Sequence, residues 1–350
     1  MTPGTIQTES SRFRVGTFNL LNYNAPPNAC YESDNIYSNQ QWQEKRTWTS
    51  SHLALMAADI VGFQEVFSPE DLNKLVLDQG FEHFVTVAKP TKDRHHIYSK
   101  PVVALASRYP ILKATTIRLT KSMKQKSALP SLFRFSRAPL KAEVMIDGFG
   151  QCLVYVVHLK SNRTEVPQTA NSKNWSTIAA RSMSAQAQSY WNSIRQRGNE
   201  VTLLYQDVIK EVSKKDRPVI LMGDFNTSIG SETLQQIAAA REVNALNSTP
   251  QTRLPKEAKR QIRRFALYDG FELQHEGTPD KRKSTHYFAN KGSVLDYVLL
   301  SKDFDASYDH SLASVVNYEI YDRHLQNPQY SIDSQCSDHA PVMVELEIRK

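Results

Sequence analysis

The sequence predicts an α/β fold in which β-sheets are stacked between outer layers of helices. Strand-like and helix-like segments alternate from residue 13 to the last residue. Several predicted strands follow one another without a helix between them, which argues against a doubly wound parallel sheet. Two further segments carry apolar residues at helical spacing on one face, so we expect both to pack as helices on a sheet.

Short apolar runs give the strand predictions, and several alternate with polar neighbours, which favours an antiparallel or mixed sheet. The predicted strands span 13–19, 59–65, 102–106, 151–157, 218–222, 294–300 and 342–348. The predicted helices span 41–58, 183–194 and 201–212. No linker rich in Gly, Ser or Pro interrupts this series, so we expect a polar tail at residues 1–11 and one domain over residues 12–350.

The composition favours a polyanionic partner. The 350 residues include 43 Lys and Arg against 36 Asp and Glu, a formal net charge of +7 at pH 7, and such a charge steers anionic molecules towards the surface. No apolar run approaches the ~18 residues of a membrane helix, so we expect no membrane insertion, and we expect a monomer. The polar start predicts a cytoplasmic protein, or a secreted or periplasmic one if a signal segment has been removed.

The three cysteines, Cys30, Cys152 and Cys336, are an odd number without a CxxC pair, which argues against a disulfide framework and a thiolate zinc site. Cys30 follows Asn19, and Cys336 precedes Asp338, in loops that we expect to converge on one rim. A disulfide between them is therefore considered only for an exported protein.

Six predicted strands carry polar residues at or near an end. They are Asn19, Glu65, His158, Asp224 with Asn226, Asp296, and Asp338 with His339. Apolar strands deliver such groups to the rim of a sheet, where loops gather. Turn chemistry accounts for any one cluster taken alone, but it does not account for Glu65 or Asp296, which lie within β-rich runs. Together these carboxylates, imidazoles and amides are the inventory of a Mg²⁺ site with acid–base partners.

These clusters belong to six short motifs whose order along the chain resembles that of the endonuclease/exonuclease/phosphatase superfamily. The motifs are TFN at 17–19, DIVGFQE at 59–65, VHL at 157–159, GDFN at 223–226, LDYV at 295–298 and SDHAP at 337–341. The resemblance implies an α/β four-layer sandwich, with two mixed β-sheets packed face to face and helices on both outer sides. It also implies metal-dependent cleavage of phosphate esters.

The resemblance further implies the metal ligands. Glu65 matches the principal ligand, and Asn19 and Asp338 match positions close to the metal, which we expect to be Mg²⁺, with Mn²⁺ or Ca²⁺ as alternatives. Apurinic endonucleases of the superfamily carry an acidic ligand two residues after the first Asn, where this chain has Leu21, so a role in abasic-site repair is disfavoured. The stretch 18–23 instead resembles the start of bacterial nucleases, which are often secreted.

The other motif residues match catalytic positions of the superfamily. Asp224 would orient or deprotonate the attacking water, and Asn226 would hold a phosphate oxygen. His158 matches a phosphate-contacting or proton-donating group, and His339, supported by Asp296, would stabilise the transition state or transfer a proton. The chemistry is coherent, because a metal and two imidazoles neutralise charge on the phosphoryl group while a carboxylate prepares water.

Basic residues outside these roles are candidate substrate contacts. They are Lys121, Lys124, Lys126, Arg137, Lys160 and Arg181. The first four lie in a stretch with interleaved aromatic residues, a composition typical of a loop or ribbon that follows a phosphate backbone, although a solvated charged loop is the alternative. The segment 135–139 also resembles the part of pancreatic deoxyribonuclease whose Arg contacts phosphate. The last two match residues of the bacterial nucleases.

The sequence therefore predicts a metal-dependent phosphodiesterase, and specifically a nuclease that hydrolyses DNA or RNA through activated water. A phosphatase or a phospholipid phosphodiesterase of the same superfamily, acting on phosphoinositide or sphingomyelin, stays open as the alternative. A sphingomyelinase is expected to carry an exposed aromatic hairpin, which the sequence does not reveal. A binding module without activity is expected to lack a motif residue, whereas only the optional acid at Leu21 is missing.

Overall fold

The fold is taken from a computed structural model, which describes residues 11–126, 129, 133–162, 174–238, 256–274 and 282–349. Its strands are β1 (Arg12–Tyr23), β2 (Ala29–Cys30), β3 (Ile60–Val66), β4 (His83–Thr86), β5 (Thr91–Arg94), β6 (Ile97–Lys100), β7 (Val102–Ser107), β8 (Ile111–Thr116), β9 (Leu140–Ile146), β10 (Gly150–His158), β11 (Val219–Asp224), β12 (Leu267–Asp269), β13 (His286–Phe288), β14 (Lys291–Ser293), β15 (Asp296–Ser301), β16 (Ala313–Ile320) and β17 (Val342–Ile348). Its helices are α1 (Asn39–Met56), α2 (Pro69–Asp78), α3 (Lys121–Lys126), α4 (Trp175–Lys214), α5 (Gln235–Ala238), α6 (Lys256–Phe265), α7 (Gly270–Gln274), α8 (Arg323–Gln326) and α9 (Tyr330–Asp333).

Two six-stranded sheets form the centre of the molecule. The first has the order β16-β17-β1-β3-β7-β4, and the second has the order β12-β15-β11-β10-β9-β8. In each sheet one central pair is parallel, β1 with β3 and β10 with β11, and the other pairs are antiparallel. Both sheets are therefore mixed, as the sequence predicted.

The sheets pack face to face through alternate side chains of their strands. Along β10, Val154 and Val156 join the apolar layer between the sheets, whereas Leu153, Tyr155 and Val157 pack on the outer side. Because both faces of β10 are buried over residues 152–157, this part of the strand is apolar throughout. Each such side chain contributes roughly 1.5–3 kcal/mol through burial.

The absence of a side chain at Gly62 lets the two sheets approach closely. A Cβ atom at this position of β3 would lie 2.9 Å from both methyl carbons of Val156 in the facing sheet. A larger residue at position 62 would therefore push the sheets apart.

Helices cover the outer faces, which completes the four layers implied by the resemblance. Trp48 and Leu53 of α1 pack with α2 on the first sheet. Val201, Leu204 and Val208 of α4 pack on the second sheet. Among the described helices, none is both long and apolar enough to cross a membrane.

The predicted strands and the first helix are confirmed to within about two residues at most ends. Helix α1 begins at Asn39, because the Ser38 side chain and Gln41 form a reciprocal capping box, and it ends at Met56, because the next residue, Ala57, has a left-handed conformation with φ 45°. All three cysteines are free thiols, so the structure does not contain the Cys30–Cys336 bridge considered above.

Two predictions about helical segments were wrong. The segments 183–194 and 201–212 belong to the single helix α4, and only its second half packs on a sheet, since Met183 and Trp191 are largely exposed. Apolar spacing identifies one face of a helix but does not identify what covers that face. The stretch that contains Lys121 was predicted to be a loop or ribbon, but it forms the short helix α3.

Two histidines are buried in an aromatic cluster between α1 and α8. The His52 ring lies 3.9 Å from the Trp48 ring, centroid to centroid, and the His324 ring lies 4.9 Å from it at a steep angle. His324 Nε2 donates a hydrogen bond to the carbonyl oxygen of His339 at 3.2 Å. Burial lowers the pKa of His324 to about 4, and His52 adds to this shift, while Asp333 opposes it.

We expect the free energy of unfolding to fall as the pH drops from 6.5 towards 4. His324 gains a proton near pH 6.5 in the unfolded chain, but only near pH 4 in the folded protein. The unfolded state therefore binds more protons in this window and is stabilised relative to the native state, by about 2 kcal/mol at pH 5. Urea unfolding at pH 7 and pH 5 measures the difference.

The variant His324→Gln provides the control for this prediction. Glutamine keeps a side-chain N–H donor for the His339 carbonyl but does not titrate in this range. Its stability should depend less on pH than that of the wild type, whatever its absolute stability. An identical pH slope in both proteins would contradict the assignment to His324.

Candidate active site

The polar strand ends meet at one edge of the two facing sheets. Because β1 and β3 are parallel, Asn19 and Glu65 come to the same edge of the first sheet, and the parallel pair β10 and β11 does the same for His158 and Asp224. Asn19 Nδ2 donates a hydrogen bond to Asp224 Oδ2 at 3.1 Å. This bond joins the first sheet to the second.

The GDFN segment fixes the Asp224 carboxylate by its backbone geometry. Gly223 has φ 148°, and a Cβ there would lie 2.0 Å from the carbonyl oxygen of Val157, so only glycine fits. The backbone N–H of Asn226 donates to Asp224 Oδ1 at 2.8 Å, and the Asn226 amide donates to Asp224 Oδ2 at 3.1 Å and to the Leu159 carbonyl at 3.0 Å. The carboxylate thus has one fixed orientation.

Two imidazoles face the same oxygen of Asp224. His158 Nε2 lies 3.4 Å from Asp224 Oδ2, and His339 Nε2 lies 4.0 Å from it. Burial raises the pKa of Asp224 to about 7, the nearby Asp296 adds to this rise, and the charge of His339 opposes it. Asp224 Oδ2 is therefore the meeting point of an amide from each sheet and two imidazoles.

His339 and Asp296 form a buried pair. His339 Nδ1 lies 2.8 Å from Asp296 Oδ2, so Nδ1 carries a proton and Nε2 faces Asp224. Burial alone would lower the pKa of His339, but the carboxylates of Asp296 and Asp224 outweigh it and raise the pKa well above its usual value. Thr285 fixes Asp296, because its hydroxyl oxygen accepts hydrogen bonds from the N–H groups of Leu295 and Asp296 at 2.9 and 3.2 Å.

The loop that carries Asp338 and His339 is tied to β1 and α1. The Ser337 hydroxyl donates to the Asn19 carbonyl at 2.7 Å and accepts from the His339 N–H at 3.1 Å. The buried Lys45 ammonium donates to the carbonyl of Cys336 at 3.3 Å. Its positive charge lies within electrostatic reach of Asp338 and Glu65, although burial is the larger effect and lowers its pKa to about 8.

The donor set fits a hard divalent cation. Glu65 has a left-handed φ of 62°, and its Oε2 accepts the N–H of Asn22 at 3.0 Å. The side-chain oxygen of Asn22 is buried and has no hydrogen-bond partner among the described residues. Carboxylate and amide oxygens are the ligands that Mg²⁺ prefers. A donor atom of Asp338 also lies within 4.8 Å of ring nitrogens of His286 and His339.

Three residues of the site have no role in the sequence predictions. His286, which follows the basic stretch before the Asp296 strand, has its ring 5.0 Å from the His339 ring. Lys45 occupies the apolar face of α1, three residues from both Trp42 and Trp48, and that position is a signal in the sequence. The sequence pattern did not indicate a role for Asn22, because this residue, with φ 52°, lies at a register irregularity of β1.

The predicted substrate contacts are only partly brought to this edge. Arg137 Nη1 donates to the Leu159 carbonyl at 3.4 Å, the same oxygen that Asn226 contacts. Lys160 follows directly, and its N–H donates to Glu200 at 2.8 Å. Arg181 lies on α4, about 24 Å along the helix from Arg197, which donates to the Lys160 carbonyl. Lys121 is exposed on α3, and the side chains of Lys124 and Lys126 lie outside the described residues.

The comparison with protein families agrees with this site. The chain belongs to the endonuclease/exonuclease/phosphatase family, whose model matches residues 16–339. Members of this family generally hydrolyse phosphoester bonds and use divalent metal ions. No curated protein matches the sequence.

Solved structures share the fold at low sequence identity. The human Nocturnin catalytic domain with bound sulfate is 16% identical with a TM-score of 0.58, covering 97% of this chain and 95% of that chain. An endonuclease/exonuclease/phosphatase from Bacteroides vulgatus is 17% identical with a TM-score of 0.54, covering 97% and 100%. Truncated TDP2 of Caenorhabditis elegans is 15% identical with a TM-score of 0.54, covering 96% and 97%. These similarities establish the fold.

We expect Glu200→Gln to loosen the rim of the site. The buried Glu200 carboxylate of α4 accepts the N–H groups of Ser136 at 2.6 Å and Lys160 at 2.8 Å. An amide has one acceptor oxygen, so one of these N–H groups would face an NH₂ group, at a cost of about 1–3 kcal/mol. Hydrogen exchange should show faster exchange at Ser136 or Lys160, and urea unfolding should show lower stability.

The matched control is Glu347→Gln, which removes a carboxylate from a surface pair with Arg12. Such pairs contribute at most about 1 kcal/mol. Unchanged exchange at both Ser136 and Lys160 in Glu200→Gln would show that Glu200 does not hold the rim.

Proposed function

We propose that the protein is a Mg²⁺-dependent nuclease that hydrolyses phosphodiester bonds of DNA or RNA by attack of an activated water molecule. The observation that carries the proposal is the arrangement around Asp224 Oδ2, where two imidazoles and two amides converge beside the carboxylates of Glu65 and Asp338. Such a site combines a proton acceptor with cationic and neutral donors for a phosphate group.

Oxygen ligands for the cation would come from Glu65 and Asp338, together with the amide oxygens of Asn19 and Asn22. When bound, the cation neutralises charge on the phosphate and polarises its P–O bonds. Lys45 limits the repulsion between the two carboxylates and holds the loop of Asp338 through the Cys336 carbonyl. This support keeps the ligands in place before the substrate arrives.

Of the other site residues, Asp224 acts on the attacking water, and the two histidines act on the phosphate. Asp224 Oδ2 accepts a proton from the attacking water, and its orientation is held by Asn19 and Asn226. His158 and His339 point their Nε2 atoms at the same place and donate to phosphate oxygens there. Asp296 positions His339 through Nδ1, so that Nε2 stays directed at the reacting group.

A nucleic-acid substrate is favoured over a small ester by the charges outside the site. The chain has a net charge of +7, and Arg137 shares the Leu159 carbonyl with Asn226 at the mouth of the site. The alternative is a phosphatase or phospholipid phosphodiesterase activity. Purified protein incubated with plasmid, linear DNA, RNA, phosphoinositides and sphingomyelin, in Mg²⁺, Mn²⁺, Ca²⁺ or EDTA, distinguishes them. Cleavage of lipid but not of nucleic acid would refute the nuclease.

Glu65→Gln should weaken cation binding and remove most of the activity. Glutamine preserves the volume but removes the negative charge that a hard cation requires. In the wild type, Mg²⁺ or Mn²⁺ should raise the melting temperature increasingly as the ion concentration exceeds the dissociation constant, and this rise should be smaller in the variant. The control is Glu70→Gln, an exposed residue of α2. Equal stabilisation of both variants, or activity in EDTA, would contradict the metal assignment.

His339→Ala and Asp296→Asn should have non-additive effects on kcat/KM. If Asp296 acts only by positioning His339, each single variant should lose about 10²–10⁴-fold, and the double variant should be little worse than His339→Ala. A double-mutant cycle at saturating Mg²⁺, with circular dichroism on every variant, measures the coupling. Fully additive losses would mean that Asp296 acts independently of His339.

A further inference from the structure

The first half of α4 extends beyond the sheet on which its second half packs. Among the described residues of this helix, the first buried one is Ser193, and burial continues to Val212. Arg197 and Glu200 anchor the helix to the loop that follows β10, through the carbonyl and N–H of Lys160. About 27 Å of helix, from Trp175 to Ser193, therefore projects past the rim of the site.

This projecting half carries large apolar side chains in solvent. Trp175 is 81% exposed, Met183 70%, Tyr190 52% and Trp191 58%. At 3.6 residues per turn Met183 and Tyr190 lie about 20° apart around the helix axis, whereas Trp175 and Trp191 lie about 80° to either side of Met183. These four residues form an apolar stripe about 160° wide, and exposed apolar residues gathered on one segment of a protein mark an interaction surface.

The charge of the same segment is entirely positive. Between Asn174 and Asn199 the sequence contains no Asp or Glu, whereas it contains Arg181, Arg195 and Arg197. Arg181 and Arg195 are exposed. A surface that combines exposed aromatic rings with guanidinium groups, and that lacks acidic side chains, complements a chain of anionic groups joined to flat apolar rings.

The stripe is continuous with the rim of the active site. Gln196 Nε2 donates to the Arg134 carbonyl at 2.8 Å, and Glu200 binds the N–H of Ser136 in the next turn of the helix. Arg137, which contacts the Leu159 carbonyl beside Asn226, follows in this segment. A polymer that leaves the site past Arg137 thus meets α4 directly.

We propose that the projecting half of α4 binds unpaired nucleotides of a nucleic-acid strand whose scissile phosphate lies in the active site. This inference rests on the proposed nuclease function. Bases stack on exposed aromatic side chains only when their faces are free, so the surface selects single-stranded over duplex segments. Arg181 and Arg195 bind the phosphates between the stacked bases.

The test measures binding separately from cleavage. In EDTA, wild type, Trp175→Ala, Trp191→Ala and the double variant are titrated with a labelled single-stranded oligonucleotide and with the corresponding duplex. Each substitution should weaken single-strand binding on the order of tenfold and change duplex binding much less. The control is Tyr330→Ala, which removes an equally exposed aromatic residue from α9; it should bind like the wild type.

Tryptophan fluorescence provides a second readout. The other two tryptophans, Trp42 and Trp48, are buried on the inner face of α1. Single strands should therefore quench the fluorescence of Trp175 and Trp191, and the double variant should show little quenching. Far-ultraviolet circular dichroism confirms that the helix is retained in every variant.

The outcomes separate this inference from the proposed function. If the tryptophan variants bind single strands as tightly as wild type, the inference is overturned, whether or not the protein cleaves nucleic acid. If wild type binds single strands through these residues but cleaves no nucleic acid, the surface stands and the nuclease function fails. Binding to phosphatidylserine vesicles that depends on Trp175 and Trp191, without single-strand binding, would make the stripe a lipid contact and overturn the inference. Dimerisation through the stripe would also overturn the inference.

Discussion

The hydrogen bond between Asn19 and Asp224 is the contact on which the arrangement of the site depends. It joins β1 and β11, each the third strand of its sheet, at the edge where the motifs meet. Stacked sheets lie about 10 Å apart, so two short side chains can meet between them only where the backbones converge. Gly62 permits close approach in the core below. The buried Asp224 carboxylate therefore constrains the strand registers of both sheets.

Burial of the Asp224 carboxylate also determines which charged groups can lie next to it. Asp224 and Asp296 lie close together out of water, and two buried carboxylates repel each other strongly unless a cation lies between them. His339 lies between them, and its raised pKa is the consequence. A buried ion cluster of this kind contributes little net stability, because desolvation offsets attraction. We infer that its value lies in orienting polar groups rather than in holding the sheets together.

The sequence could indicate which residues gather at the core of this candidate site, because strand periodicity and strand ends are local properties. His158 and Asp224 end apolar strands, Asp296 begins one, and His339 lies three residues before β17, so their gathering follows from the pairing of those strands. Asn22 was missed, because a register irregularity in β1 decides where it points, and such an irregularity depends on the neighbouring strand.

Lys45 shows a different limit of structure prediction from the sequence. Its place on the apolar face of α1 is visible in the sequence, but the Cys336 carbonyl and the Asp338 carboxylate that it faces come from a loop almost 300 residues away. Helical spacing places this lysine on the buried face of α1 but does not indicate which groups compensate its charge. The packing of α4 could not be predicted from its sequence for the same reason. The apolar pattern is similar in both halves of the helix, but only the second half has a sheet to cover it.

The lengths of the elements explain why half of α4 projects, and why it does so beside the site. Strand β10 has nine residues and spans about 30 Å, whereas α4 has 40 residues and spans about 60 Å, so the sheet covers only about half of the helix. The chain leaves β10 at His158, at the site edge, and α4 returns antiparallel to that strand. Its buried residues begin at Ser193. The uncovered half must therefore lie on the side where β10 ends, which is the side of Asp224.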